Sequence, residues 1–222
     1  MKIVGLTGAM GAGKSSLAKY LHREGIPIHC ADQEIHDLLA SDVEIQEKIK
    51  ELWPDVFVEG SIDRNKLGNR TFSSSQTLTQ LENLLYPKLL QRQKRFLLKN
   101  QMLNIPLVVL DAPLLCEVGL DRYCHFVVMA FAPLFLRKQR VLRRKEMTPQ
   151  KFQMITSHQM KDQQRRKYVD FIIPTGREKG SALKRIRDIL NTLLQKPSPS
   201  WQGRWPTQLK REPYVTRNRF RY

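Results

Sequence analysis

The residues with the clearest chemistry are 8–15, which read GAMGAGKS and match the pattern G-x-x-x-x-G-K-S/T of a phosphate-binding loop. Backbone amides in such a glycine-rich turn point inward and bind anions. Lys14 can reach the β- and γ-phosphates, and the Ser15 hydroxyl is a ligand that Mg²⁺ accepts. The pattern therefore indicates binding of ATP or GTP without specifying the reaction. The other residues expected to hold ATP here are Gly8, Gly11, Ala12, Gly13 and Ser16.

The loop lies between a predicted strand and a predicted helix, which is the context that such a loop requires. Residues 2–7 (KIVGLT) are apolar and short, as in a buried strand, and residues 14–24 have a helical pattern. Gly25 suits the position just after a helix, where Ile26 can fold back towards Leu21 in a Schellman cap. A second strand is predicted over 26–30.

Two aspartates follow predicted strands, at the sheet edge where α/β proteins bind ligands. Asp32 follows the second strand, and its carboxylate could orient an acceptor hydroxyl and take its proton. A cap on the helix expected over 32–40 is the alternative for Asp32. Asp111 ends the strand predicted over 106–110 and could position Mg²⁺, or it could simply be a turn residue at the end of that strand.

A strongly basic segment follows the fourth predicted strand. Residues 137–167 contain eleven basic and two acidic side chains. Arg140 and Arg144 are four residues apart on a helix predicted over 134–145, so they share a face. We expect a lid over about 134–168 whose arginines spread the charge of a transferring group, although a solvated basic face is the alternative.

Composition excludes several classes of protein. The chain has 222 residues, is 41% hydrophobic and carries a net charge of +17, which suits one α/β domain with polyanionic partners. Its three cysteines form no CxxC pair and have no metal-ligand spacing, so we expect reduced thiols in a cytoplasmic protein. The start does not resemble a signal peptide, and the longest apolar run is too short for a membrane span.

The remaining pattern predicts strands over 126–132 and 171–173 that alternate with helices, as in an α/β fold whose parallel sheet is covered on both sides. One domain over 1–196 is expected, with a helical substrate-side region over about 33–104. The basic tail, 197–222, is expected to be extended or disordered; its two tryptophans could stack on bases or pack on the domain. A capping box from Ser41 to Glu44 indicates one further helix start, and Thr148 with Pro149 indicates another. The other predicted helices cover 63–72, 77–102 (with a bend at Pro87) and 178–195.

Taken in order, these motifs resemble the dephospho-CoA kinase family over about residues 3–176. GLTGAMGAGKSS resembles the start of the family, and GIPIHCAD places Asp32 at its second-strand aspartate motif. The later matching elements are SIDRNKL (61–67), LENLLYP (81–87), DAPLLCE (111–117), Arg140, Arg144, Gln159 and DFIIPTG (170–176).

The resemblance implies a P-loop kinase fold with a parallel sheet flanked by helices, a helical substrate-binding region and a basic lid. It implies ATP-dependent phosphorylation of the ribose 3′-hydroxyl of dephospho-CoA, with Mg²⁺ as cofactor. Asp32 would then be the catalytic base, with Lys14 and Arg140 completing the catalytic set and Arg144 contacting ATP. The expected acceptor contacts are Asp32, Arg64, Tyr86, Leu114 and Glu117, and the expected metal contacts are Ser15 and Asp111.

The sequence departs from the family at five positions and leaves alternatives open. Arg137 stands where Gln is common, and Ser16 replaces a frequent Thr. Cys30 stands at the first position of the usual D-A-D, Tyr86 replaces a usual His, and Thr175 replaces a common Asn. Another small-molecule or nucleoside monophosphate kinase is one alternative, and a homologue that binds ATP without catalysis is another. A nucleic-acid-binding NTPase is the alternative of a different class; no second motor domain supports it, but the basic tail keeps nucleic acid open as a partner. The oligomeric state is not indicated.

Overall fold

The computed structural model, which describes residues 1–145, 147–176, 178–196 and 201–209, is built on a sheet of five parallel strands. A short antiparallel hairpin lies apart from this sheet. In chain order the strands are β1 (Lys2–Thr7), β2 (Ile28–Cys30), β3 (Phe57–Val58), β4 (Ser61–Ile62), β5 (Leu107–Asp111), β6 (Phe126–Phe131) and β7 (Phe171–Pro174). The main sheet has the order β2-β5-β1-β6-β7, and β3 and β4 form the hairpin.

Helices connect the strands, and those predicted from the sequence are present with ends shifted by a few residues. None of the helices among the described residues is long and apolar enough to cross a membrane. They are α1 (Lys14–Arg23), α2 (Ala31–Ser41), α3 (Val43–Leu52), α4 (Arg64–Ser73), α5 (Ser75–Met102), α6 (Leu134–Leu142), α7 (Pro149–Ser157), α8 (Asp162–Arg165) and α9 (Lys179–Gln195).

Alternating strand residues bury two apolar layers, one on each face of the sheet. On β5, Val108 and Leu110 contribute to the layer that packs against α2, α3 and α5, while Val109 contributes to the layer against α1 and α9. Strands buried on both faces need apolar side chains at successive positions, which explains the uninterrupted run in LVVL. The predicted α/β class with a parallel sheet covered on both sides is confirmed.

The strand register brings the chemically active ends together. Asp111, the last residue of β5, pairs with Leu6 of β1 on one side and with Cys30 of β2 on the other. The glycine-rich loop follows β1 and Asp32 follows β2, so both reach the same edge of the sheet as Asp111. This is the edge at which parallel α/β sheets bind ligands.

Two helix ends show how local sequence sets the connections. After α1, Gly25 has φ 81° and the Ile26 amide donates to the Leu21 carbonyl at 3.1 Å, as predicted for a Schellman cap. The capping box from Ser41 is wrong. Ser41 is still the last residue of α2, and Asp42 is the N-cap of α3, where its carboxylate accepts from the Ile45 amide at 3.1 Å.

The helices α5, α6 and α7 follow the predicted helices to different degrees. The helix α5 continues through Pro87 for 28 residues. The basic helix α6 ends at Leu142, three residues before the predicted end. The predicted start of α7 is confirmed: Thr148 is the N-cap, Pro149 follows at the first turn, and the Thr148 hydroxyl accepts from the Lys151 amide at 3.1 Å.

The described part of the tail, residues 201–209, packs on the domain, which is the second of the two possibilities given for its tryptophans. It forms no helix or strand, yet Trp201 and Trp205 are each 6% exposed and join the apolar layer that contains α5. Gln101 Nε2 donates to the Trp201 carbonyl at 2.9 Å, and the Trp205 ring lies 5.6 Å from that of Tyr123. Burial of two large indoles compensates for the scarcity of aliphatic residues in the tail.

We expect Trp205→Ala to lower the free energy of unfolding by about 3–5 kcal/mol, because it empties a buried site that an indole fills. Urea unfolding followed by circular dichroism measures this loss. Phe135→Ala is the matched control, since Phe135 is 74% exposed and its truncation opens no cavity. Equal stability of the Trp205→Ala variant and the wild type would contradict the packing of the tail on the domain.

Candidate active site

The glycine-rich loop is packed tightly beneath α6. Gly11 and Gly13 have φ values of 78° and 89°, in the left-handed region that favours glycine. A Cβ on Gly11 would also lie 2.7 Å from the Arg137 carbonyl oxygen of α6. The sequence folds this way because glycine allows both the turn and the close approach. The amides of the following residues are left at the N-terminus of α1, where a helix favours anions.

Lys14 and Asp111 form a buried ion pair at the floor of the site. Lys14 Nζ lies 2.6 Å from Asp111 Oδ1, and the two residues are 8% and 3% exposed. Burial raises the pKa of the Asp111 carboxyl, while the neighbouring Lys14 ammonium opposes that rise. The Lys14 ammonium is therefore held behind the loop by a carboxylate. The phosphates of a nucleotide would be a stronger anionic partner for it.

Two adjoining cavities meet at the end of the loop. The first, about 440 Å³, lies over the loop, and the second, about 620 Å³, opens between α1 and α2. Lys14, Ser15 and Asp32 line both cavities. Asp32 is the second residue of α2, whose N-cap is Cys30, so the alternative of Asp32 as the helix cap is wrong. Asp32 therefore lies where the two cavities adjoin.

Two guanidinium groups reach the first cavity, one from α6 and one from just beyond its end at Leu142. Arg140 and Arg144 both line this cavity. Arg140 Nη1 donates to the Gly11 carbonyl at 3.3 Å, and its Nη2 donates to the Thr175 carbonyl at 2.6 Å. These two bonds fix the Arg140 guanidinium beside the loop.

The other predicted acceptor contacts lie elsewhere. Within the described part of the chain, the linings of these two cavities do not include Arg64, Tyr86, Leu114 or Glu117. Arg64 is exposed at the start of α4, and the Tyr86 hydroxyl donates to Glu82 at 3.0 Å. Leu114 follows Pro113, which does line the first cavity. Glu117 accepts from Arg165 and from the Met160 amide, so its carboxylate already has protein partners.

Several contacts between the loop and the basic segment involve residues to which the sequence patterns assigned no role. Gln159, noted only as part of the lid, accepts from the Met10 amide at 2.9 Å through Oε1. Asp162 and Arg165 were missed, although Asp162 is one of two acidic residues in an otherwise basic segment. That isolated acidic residue was the available signal for a structural ion pair. The alternative of a solvated basic face predicts an exposed Arg137. In the structure Arg137 is 8% exposed and bonded to Asp162.

His29 of β2 gives the molecule a pH dependence next to the site. It is 4% exposed, and burial lowers the pKa of its imidazole from 6.5, although Glu34 opposes this. The unfolded chain therefore binds this proton more readily, so stability is lost as pH falls below about 6.5. We expect the free energy of unfolding in urea to fall between about pH 7.5 and about pH 5, and to fall less steeply in His29→Phe. Identical pH profiles for the two proteins would contradict this assignment.

Comparison with known proteins identifies the family to which this arrangement belongs. The family model described as dephospho-CoA kinase matches residues 2–179. A dephospho-CoA kinase from Bartonella henselae is 33% identical over 88% of this chain and 100% of its own length. One from Paramagnetospirillum magneticum is 39% identical over 75% of this chain and 78% of its own length.

Solved structures share the fold. TT1252 from Thermus thermophilus has a TM-score of 0.74 and 28% identity, with coverage of 88% of this chain and 98% of that one. A dephospho-CoA kinase from Campylobacter jejuni has a TM-score of 0.62 and 21% identity, with the same coverage, and shows that the fold is the same. With its glycine-rich loop, its Lys14–Asp111 pair and a family match over most of its length, the chain belongs to the dephospho-CoA kinase family.

Proposed function

We propose that this protein transfers the γ-phosphoryl group of ATP to the ribose 3′-hydroxyl of dephospho-CoA, giving coenzyme A and ADP. The observation that carries the proposal is the position of Asp32 between the two cavities, beside Lys14 and Ser15. In this reaction the 3′-oxygen bonds to the γ-phosphorus, and the bond from that phosphorus to the β–γ bridging oxygen breaks. The hydroxyl proton passes to the Asp32 carboxylate.

ATP is proposed to occupy the cavity over the loop. The loop amides and Lys14 bind its phosphates, and Arg140 and Arg144 line the same cavity. Arginine donors fixed beside the transferring group stabilise charge that spreads over its oxygens. Because Arg140 is already held by two backbone carbonyls, it needs no reorganisation to do so.

The acceptor is proposed to approach Asp32 from the second cavity. Lys19, His22 and Arg23 of α1 line this cavity together with His36 of α2. The Lys19 and Arg23 cations suit the diphosphate of dephospho-CoA, since cations attract a polyanionic acceptor into a confined space.

The residues at the end of the loop fit a bound Mg²⁺. Ser15 supplies a hydroxyl, and Asp32 and Asp111 supply carboxylates, so the available donors are the oxygens that Mg²⁺ prefers. The described residues contain no cluster of three or more His, Cys, Asp or Glu side chains that could hold a metal alone. This suits an ion that relies on a few protein oxygens, substrate phosphates and water. Mg²⁺ would neutralise phosphate charge during transfer.

A comparison of acceptors tests the proposed function. ADP formation is measured with Mg-ATP and dephospho-CoA, nucleoside monophosphates or single-stranded nucleic acid. We expect kcat/KM for dephospho-CoA to exceed that for each monophosphate by at least about 100-fold. Preference for a monophosphate would indicate a different kinase. ATP hydrolysis that nucleic acid stimulates, with a steep salt dependence, would indicate a nucleic-acid-binding NTPase. The proposed place of action is the cytoplasm, where both substrates are soluble anions.

A further inference from the structure

Four charged side chains form a continuous network at the base of the lid, which we call the lid-base network. Arg137 Nη2 lies 3.0 Å from Asp162 Oδ2, and Arg165 Nη1 lies 3.3 Å from Asp162 Oδ1. Arg165 Nη2 lies 2.6 Å from Glu117 Oε1. The lid-base network therefore runs from α6, through α8, to the segment that follows β5.

The lid-base network is largely shielded from water and electrically balanced. Arg165 is 0% exposed, and the side chains of Arg137, Asp162 and Glu117 are 10%, 19% and 11% exposed. Two positive and two negative charges sum to zero, which differs from the surrounding segment with its large positive excess. Charges this far from water are costly unless each has its partner, so the four groups hold one arrangement in preference to others.

Both ends of the lid-base network lead to the nucleotide cavity. At one end Arg137 Nε donates to the Ala132 carbonyl at 3.1 Å, and this fixes the rotation of α6. Arg140 is three residues further along the same helix, so it shares a face with Arg137 and keeps its bonds to the Gly11 and Thr175 carbonyls only while that rotation holds.

At the other end Glu117 also fixes the backbone of the lid. The Met160 amide donates to Glu117 Oε1 at 3.0 Å. The preceding residue, Gln159, reaches the phosphate-binding loop, where it accepts from the Met10 amide at 2.9 Å. One carboxylate therefore connects the segment that follows β5 to Met160, the neighbour of a residue that touches the loop.

We propose that Asp162, Arg165 and Glu117 are positioning residues that hold the lid closed over the nucleotide, so that Arg140 and Gln159 meet the loop in a fixed geometry. For Glu117 this replaces a direct contact with the acceptor. None of the three lines either cavity, so each acts through Arg140 or Gln159. The effect on turnover rests on the proposed function, whereas the effect on nucleotide affinity does not.

The central variant is Asp162→Asn, which retains the size of the side chain and removes the charge shared by Arg137 and Arg165. Titration with a non-hydrolysable ATP analogue is expected to show affinity lowered by about tenfold, because small displacements of positioned groups are costly. Steady-state kinetics are expected to show KM for ATP raised by a similar factor, with KM for the acceptor changed by less than about twofold. Hydrogen exchange of the α6 amides is expected to accelerate.

Two further variants separate positioning from simple loss of stability. Arg187→Gln breaks an exposed ion pair with Glu24, 3.1 Å long, outside the lid, and should leave nucleotide affinity unchanged. Arg165→Lys retains the positive charge of the side chain, so it should retain part of the nucleotide affinity that Arg165→Gln loses. Where Arg165→Gln fails to fold, Asp162→Asn and Glu117→Gln carry the comparison.

The proposal is overturned if Asp162→Asn lowers the melting temperature but binds the ATP analogue as tightly as the wild type. It is equally overturned if α6 exchanges no faster than in the wild type. Failure of the proposed function looks different: the wild type would then bind the ATP analogue but not phosphorylate dephospho-CoA, and the affinity changes in the variants would still be measurable.

Discussion

Asp32→Asn is expected to lower kcat for phosphorylation of dephospho-CoA by about 10²–10⁴-fold while ATP binding stays within about threefold of wild type. The amide retains the shape of the carboxylate but cannot take the proton of the acceptor hydroxyl. Asp32 is an exposed residue in the first turn of α2, so its replacement should not disturb the core. Steady-state kinetics and titration with a non-hydrolysable ATP analogue give the two quantities.

The matched control for this variant is Asp37→Asn, in the same helix. Asp37 Oδ1 accepts from Gln33 Nε2 at 2.8 Å, a bond that an amide oxygen can also accept. Asp37 lines neither cavity, so turnover of this variant should match that of the wild type. Near-normal turnover of Asp32→Asn would remove Asp32 as the catalytic base.

Lys14→Met is expected to have the second large effect, on both turnover and stability. Loss of the ammonium removes the phosphate contact, which should lower kcat/KM by at least about 100-fold. It also leaves the Asp111 carboxylate buried without its cation, which should lower the free energy of unfolding by about 3–5 kcal/mol. Kinetics and urea unfolding measure the two effects on the same protein.

A second substitution separates the two consequences of losing Lys14. In Lys14→Met with Asp111→Leu, no charge stays buried, so most of the lost stability should return while activity should not. Wild-type stability of the single variant would contradict the buried ion pair. Recovery of activity in the double variant would contradict the role of Lys14 at the phosphates.

Much of the candidate site could be predicted because its signals are local in sequence. The loop pattern, its flanking strand and helix, and the aspartates at the ends of β2 and β5 all follow from short runs of residues. Parallel strands then bring those ends to one edge of the sheet. The position of Arg140 at the first cavity follows equally from a helix placed after β6, whereas Arg144 lies beyond the end of that helix.

The rest depends on contacts between distant residues, which short patterns do not encode. Glu117 and Arg165 are 48 residues apart, and neither position indicates the other in the sequence. The tail looked polar because aliphatic residues are scarce, yet Trp201 and Trp205 find apolar partners on α5 and beyond. The N-cap shifted from Ser41 to Asp42 because α2 extends one residue further than its pattern indicated.

The central claim is that this site transfers a phosphoryl group from ATP to the 3′-hydroxyl of dephospho-CoA. The most direct measurement incubates the pure protein with Mg-ATP and dephospho-CoA, identifies the product by mass, and locates the new phosphate by phosphorus NMR. The account predicts coenzyme A, which is dephospho-CoA with one phosphoryl group added at the ribose 3′-oxygen, formed by the wild type and almost absent with Asp32→Asn. No product, or phosphate at another position, would contradict it.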